Sequence, residues 1–426
     1  MPRAQAEPDI TTKPQFWLIA VGLIACVPFI QSMMTWTHDG QLTSQQFLIR
    51  LFSLVTVCAQ IGLLLIAGRM GFEYGDTIHG LPKRAKILLG IWAAFAIVAV
   101  VLNSVRMPQS ALITCRYVLQ GLTLAALAHL IRSEGDFDAK RWFGILTLGG
   151  LAYISLLTIF AHTVPLPRTF PWERALPSAT SIRHIGNYVA ILAIAPAALW
   201  LTSVDRSKWF GALAFGALVL FVSWSGSRAA LLGLVTSVAV GLWATRRHVA
   251  ITKITGLAAI FAGGVSASAA VPNPTDSFGL LRIFASIQPN HEISSGRIEI
   301  WLRTIDEIRK SPLLGHGAGR FANNMSELYG FDVDNPHNFV LQYFYDWGLV
   351  GGAAGLALLF MLGRAIWWRR GGDPLLVFAG IAGFAILISI GMLEGMLYHP
   401  MKMFLVMAMI APLLARVAPH AVDNAQ

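Results

Sequence analysis

Polar and apolar positions in this chain are segregated on a long scale. Apolar runs, free or nearly free of charge, follow one another from end to end with short polar segments between them. A run of about 17–25 apolar residues coiled as a helix crosses the hydrocarbon of a bilayer. The pattern predicts twelve such helices, centred near residues 16–34, 47–68, 87–104, 111–131, 142–161, 185–202, 209–223, 228–243, 252–271, 338–363, 375–393 and 400–415. The seventh and eighth are short, and SWSGSR (223–228) alone divides them; merged, they would leave eleven. The expected fold is an all-α integral membrane protein. Nine helices fall in 1–271, an extramembrane loop in 272–337, and three helices with a tail in 338–426.

The period changes inside the long loop. In SSGRIEIWLRTIDEIRKSP, Ile298, Trp301, Leu302, Ile305 and Ile308 recur at i, i+3, i+4, i+7 spacing, which predicts an amphipathic helix over 294–310. Ser294 or Ser295 can cap it, Glu299–Arg303 and Asp306–Lys310 are i,i+4 pairs, and Pro312 ends it. A glycine-rich turn, LLGHGAGR (313–320), and a short helical piece, FANNMSELYG, follow before the chain re-enters the membrane at His337. Such a helix lies on a bilayer surface or lids a cavity. The other long polar segment, HTVPLPRTFPWERALPSATSIRH (162–184), has four prolines and is not one regular helix.

Composition agrees with a membrane. The chain is 55% hydrophobic and 13% charged, where a soluble domain is about 25% charged. Its 32 Lys and Arg against 22 Asp and Glu leave a net charge of +10. Many of these cations fall in alternate loops: Arg69, Lys83, Arg84 and Lys86; Arg132, Lys140 and Arg141; Arg206 and Lys208; Arg246 and Arg247; Arg364, Arg369 and Arg370. Positive loops stay inside, so both termini are expected in the cytoplasm, and the charge implies no nucleic-acid partner. The stretch MPRAQAEPDITTK is mixed in sign and the run after it is too long for the core of a cleaved signal. Cys26, Cys58 and Cys115 lie in predicted helices at unmatched depths, as small buried apolar residues. They imply neither a disulfide framework nor a metal site.

On the outward side, where cations should be scarce, stand Arg50, Arg106, Arg116, Arg183, Arg228, Arg297 and Arg320. A guanidinium either snorkels to lipid headgroups or clamps a phosphate through paired hydrogen bonds. Arg228, in SGSR, and Arg297, in the first turn of the amphipathic helix, are the candidates for clamping, because a helix N-terminus itself favours an anion. His337 is the candidate acid–base group, since an imidazole titrates near neutrality; otherwise it caps the following helix. Asn338 can cap that helix or bind a sugar hydroxyl. His184, His291 and His316 are expected to be structural. Asp332 and Asp334 form a D-x-D, which in some transferases holds a metal; here no metal or cofactor is expected. No H-E-x-x-H, G-x-S-x-G or phosphate-binding loop is present.

Four stretches in order carry a resemblance: RHIGNYVAILAIAPAALW (183–200), SGSRAALLGL (225–234), SSGRIEIWLRTIDEIRKSPLLGHGAG (294–319) and PHNFVLQYFYDWGLVGG (336–352). Together they resemble the signatures of the O-antigen ligase/polymerase superfamily, over about residues 180–415. The resemblance implies a metal-independent, inverting glycosyltransferase of the GT-C type with a large helical periplasmic loop, in the bacterial inner membrane. It implies a glycan donor on undecaprenyl diphosphate, surrounding membrane lipids, and, for a ligase, lipid A–core as acceptor. By the same resemblance His337 corresponds to the essential loop histidine, and Arg183 and Arg297 to diphosphate-binding arginines. Asn187 opens a span as in the family, and Glu394, in MLEGML, resembles an acidic position near the end of these proteins, the alternative being an interfacial acid. Within the superfamily the ligase reading is preferred. No outward arginine has a glycine eleven residues on, as polymerase loops do, and the chain stops soon after its last span, unlike protein O-oligosaccharyltransferases. From another class, a flippase or transporter for lipid-linked sugars should show charges or broken helices at mid-membrane.

Overall fold

Inside hydrocarbon every backbone N–H and C=O must find its partner within the chain, and a helix supplies one for each residue. The structure, a computed structural model, describes residues 15–37, 40–103, 107–164, 169–172, 176–179, 181–275, 278–280, 282, 296–322, 324, 335–395, 397 and 399–416. Its helices are α1 (Phe16–Met34), α2 (Ser44–Phe52), α3 (Leu54–Arg69), α4 (Tyr74–His79), α5 (Lys83–Asn103), α6 (Met107–Ser133), α7 (Ala139–Thr163), α8 (Ile182–Leu192), α9 (Ile194–Thr202), α10 (Ser207–Trp224), α11 (Arg228–Thr245), α12 (Ile251–Ser268), α13 (Arg297–Lys310), α14 (Phe339–Trp367), α15 (Pro374–Gly391) and α16 (Pro400–Ala415). No strand occurs among the described residues.

The protein is an all-α integral membrane protein. Among the described residues ten stretches are long and apolar enough to cross a membrane, with α8 and α9 counting as one, and α3 and α16 are shorter apolar helices. Each of the twelve expected spans therefore has its helix. The uncertain pair stays separate: Gly226 takes φ of 65° and Ser227 accepts the Ala230 N–H at 3.3 Å, so α11 starts afresh. The sixth span breaks at Ala193, because Pro196 has no N–H to offer the Leu192 carbonyl. Helices α8 and α9 are almost wholly buried, packed by α7, α10, α11 and α15. A Cβ on Gly186 would stand 2.5 Å from Ser225 Oγ, so the backbone of RHIGN lies directly against the serine side chains of SGSR. The three cysteines correct the expectation of burial: all are exposed on the outside of the bundle, where a thiol suits hydrocarbon.

Helix α14 has 29 residues, about 44 Å of helix against a hydrocarbon core of about 30 Å. It breaks at Gly348, with φ 68° and ψ −178°. The glycine turn after α13 docks into the break. Leu349 N–H donates to Pro312 O at 2.7 Å, His316 N–H to Tyr345 O at 2.8 Å and Gly317 N–H to Asp346 O at 3.0 Å. A Cβ on Gly348 would lie 2.1 Å from Leu313 O, and one on Gly315 2.5 Å from Gly348 N. Residues 349–367 alone make about 28 Å of helix, enough to cross. The expected single span from residue 338 is therefore two pieces, and His337 heads the outer one.

Helix α13 forms where the sequence predicts, with three corrections. Its N-cap is Gly296, at φ 77° and without a side-chain cap; Ser294 and Ser295 lie outside the described residues. Its ion pairs run i to i+3, Asp306 with Arg309 at 3.0 Å and Glu307 with Lys310 at 2.5 Å. The apolar stripe divides between two faces. Ile300 and Ile308 pack with Thr304 and Glu307 toward Phe321 and Tyr345, whereas Ile298, Leu302 and Ile305 are 54%, 59% and 36% exposed. Spacing counts apolar residues and does not say which of them a neighbour covers.

Gly348→Ala should cost about 1–3 kcal/mol from backbone conformation alone, and more from the clash with Leu313. The thermal midpoint of the purified variant in detergent should fall, with faster proteolysis in 311–319. An unchanged melt and digestion pattern would mean that the turn is not held at the break.

Candidate active site

The site gathers where α8, α11 and α13 begin and where the turn between α15 and α16 closes. Ser181 accepts the Arg183 N–H at 3.2 Å and starts α8, which sets Arg183, His184 and Asn187 in its first turns. Asn187 Nδ2 donates to Glu394 Oε2 at 3.3 Å, and His184 Nε2 lies 3.6 Å from the same oxygen. From α13, Arg297 Nη2 reaches Glu394 Oε1 at 3.3 Å. From α16, Lys402 Nζ stands 3.7 Å from Oε2. Glu394 is 3% exposed. Burial pushes its carboxyl up, but Lys402, His184, His337 and Arg297 outweigh that and hold it at about 2. It is ionised at neutral pH.

His337 sits beside this carboxylate in a conformation few side chains adopt. Its φ is 52°, in the left-handed region, with its N–H donated to Asn335 Oδ1 at 2.9 Å. The Trp301 indole of α13 donates to Pro336 O at 2.8 Å, tying α13 to the loop. Asn338 accepts the Val340 and Leu341 N–H groups at 3.0 and 3.2 Å and caps α14; of its two expected roles it takes the first. A Cβ on Gly395 would meet Asn335 Oδ1 at 2.7 Å, so the Glu394 turn lies against the His337 loop. Strain of this kind gathers where a side chain is held for use. Burial pushes the His337 imidazole down to about 4; Glu394 pulls it up, and Arg297, Lys402 and Arg183 push it further down. Its Nδ1 is buried without a hydrogen-bond partner. At neutral pH it is a free base.

Arg297 is itself lowered from its ordinary value by burial, against the pull of Glu394, with Arg183 and Arg228 adding to the lowering. The three arginines expected to bind diphosphate therefore face one another's fields. Three other residues change standing. His184, expected to be structural, touches Glu394, and its ring lies 4.6 Å from that of His399. Lys402 and His399 were not singled out by the sequence reading, although a lysine inside an apolar span is itself a signal of function. His316 does prove structural: its Nε2 donates to Glu307 O at 2.9 Å and its ring stacks on Tyr345.

Among the other outward arginines, Arg116 is corrected from a headgroup position. It is buried, nine residues into α6, about 14 Å along the helix axis. Arg320 Nε reaches Asn324 Oδ1 at 3.4 Å, a local contact. Arg106, His291, Asp332 and Asp334, and the side chain of Arg50, lie outside the described residues.

One carboxylate thus stands among His184, His337, Lys402 and Arg297, with Arg183 and Arg228 near Arg297. Chemically this is a cationic site next to a neutral imidazole, suited to an anion carrying a reacting group. The observations define a multi-pass helical membrane protein with such a site where its helices begin and end. Residues 213–356 match the family described as O-antigen ligase. The matched stretch includes SGSR, α13, the glycine turn and His337. No curated protein matches the chain.

Glu394→Ala would leave Lys402 buried, and Arg297 half-buried, without their carboxylate. Removing one partner of a buried pair costs about 3–5 kcal/mol, so the detergent melt should fall well below the parent's. A melt equal to the parent's would show that Glu394 does not hold the cluster.

Proposed function

We propose that the protein is an O-antigen ligase: a GT-C-type glycosyltransferase of the bacterial inner membrane that moves polysaccharide from undecaprenyl diphosphate to lipid A–core on the periplasmic side. The family match supports the superfamily. The observation that carries the reaction is His337, strained, neutral and near Arg297 and Arg183, with Arg228 near Arg297 in turn.

In this reading the arginines hold the donor's diphosphate, and their planar forks suit its oxygens. The acceptor hydroxyl gives its proton to His337 as its oxygen attacks the anomeric carbon. The bond from that carbon to the diphosphate oxygen breaks, and the electron pair leaves with undecaprenyl diphosphate. Negative charge grows on the departing oxygen, where the guanidiniums stabilise it. Displacement from the opposite face inverts the anomeric centre. The reaction draws its driving force from the leaving group and its positive charge from side chains, so neither ATP nor a metal is needed. Glu394, backed by Asn187, keeps Arg297 and His184 in place. The diphosphate also tunes the base: added negative charge among these cations raises the proton affinity of His337 once the donor is bound.

Lipopolysaccharide from a deletion strain tests the reading. Loss of all long chains with intact core supports a ligase. A single repeat unit on core would replace it with a polymerase, and unchanged lipopolysaccharide with loss of glycan from secreted protein would replace it with a protein O-oligosaccharyltransferase. Accumulation of lipid-linked glycan on the cytoplasmic leaflet would replace it with a flippase.

For the purified enzyme, His337→Ala should slow transfer by about 10²–10⁴ with donor binding retained. The acid limb of kcat/KM, which reports the free enzyme, should lie near the His337 value of about 4, because the protonated ring cannot accept a proton. The acid limb of kcat should lie at higher pH. Near-normal turnover of the alanine variant would remove His337 from the role.

Arg297→Lys and Arg183→Lys keep the charge and lose the fork. Each should impair transfer severely across all donor concentrations. Parental rates in both, at equal levels of folded protein, would put the diphosphate elsewhere.

A further inference from the structure

Lys402 has no part in the mechanism above, yet its position is the most costly in the site. It is the third residue of α16 and is wholly buried. Its ammonium has no hydrogen-bond partner of ordinary length, and its ion-pair contact is Glu394 Oε2 at 3.7 Å. An ammonium carries three donors, and a membrane protein that retains one in a dry helix end uses it. A methionine of similar length would fill the same space without the charge.

The geometry around the carboxylate shows what the lysine does. Lys402, His184 and Asn187 all approach Oε2, from α16 and α8. Oε1 is left to Arg297 of α13. Glu394 lies on a turn, between α15 and α16, and a turn by itself fixes a carboxylate poorly. We propose that Lys402 is a positioning residue of the transfer reaction: it holds Glu394 by Oε2 and turns Oε1 toward Arg297, and so sets where Arg297 stands against the donor's diphosphate. This rests on the transfer reading given above.

The groups that face Glu394 are Lys402 from α16, His184 from α8, Arg297 from α13 and His337 from the loop ahead of α14. His399, at the head of α16, lies against His184, and Arg183 and Arg228 lie toward Arg297. Of the cations that oppose burial at Glu394, Lys402 acts most strongly, and it also helps hold the His337 imidazole down. Without it both groups take up a proton at higher pH. The two effects share a sign.

The test is kcat/KM for the donor against pH, with the purified full-length protein in detergent or nanodiscs. Lys402→Met should move the acid limb to higher pH by about 1–3 units and lower transfer at neutral pH. Lys402→Arg, which keeps a cation at the same place, should leave the limb where the parent has it. A Lys402→Met limb that coincides with the parent's would overturn the proposal. Glu394→Gln combined with Lys402→Met removes both charges, and its melt should recover relative to either single variant while its transfer stays impaired. This pair keeps the question open to measurement even where Lys402→Met alone folds poorly. If the double variant regains the parental rate, the pair is only structural and the proposal falls. If the parent itself transfers no glycan, the transfer reading falls instead, and the melts still report whether the two charges depend on each other.

Discussion

A carboxylate buried among cations is the constraint on which the site depends. Arg297 and Lys402 converge on Glu394 from α13 and α16, beside His184 of α8, and in a place of low polarity the two cations would repel each other. The charge of Glu394 makes that convergence tolerable, and the cations in turn keep it charged. Breaking such an arrangement at one member is far more costly than never having built it. The excess of positive charge that remains favours an anion near the place where His337 is held, which is what the proposed transfer reaction uses.

Several of the stretches that look like chemical signatures turn out to be close-packing devices. Gly186 lets α8 reach the serines of SGSR, Gly395 lets the Glu394 turn reach Asn335, and Gly315 and Gly348 let a loop fill a break in α14. The last contact has the longest reach. By docking the turn after α13 into α14, it fixes one end of α13, while the indole of Trp301 fixes its middle to Pro336. Arg297 is placed by these backbone contacts as much as by its own salt bridge. The left-handed backbone at His337 belongs to the same construction, since the Asn335 side chain accepts the His337 N–H and the Asn338 side chain caps the helix that follows.

The twelve helices were legible because a bilayer imposes a fixed apolar length and demands internal hydrogen bonds, and both demands are local to each run. Some local chemistry was legible as well, as in Asn338 capping α14, whereas the break ahead of Pro196 and the cap at Ser227 emerged only in the structure. His337 and the arginines at 183, 228 and 297 stood out by residue type and by family resemblance. What could not be read was adjacency. Asn187 and Glu394 are 207 positions apart and Arg297 and Glu394 are 97 apart, and nothing in the local pattern near any of them names the others. Lys402, inside an apolar run, was not singled out, and His184 was expected to be structural. The amphipathic period of α13 was right for a helix and wrong for its buried face, because a neighbour decides burial. The sequence by itself determined the spans and the supply of charge, through forces that act within one segment. Only the tertiary structure decided which charges meet, because that depends on where distant helix ends are brought by packing.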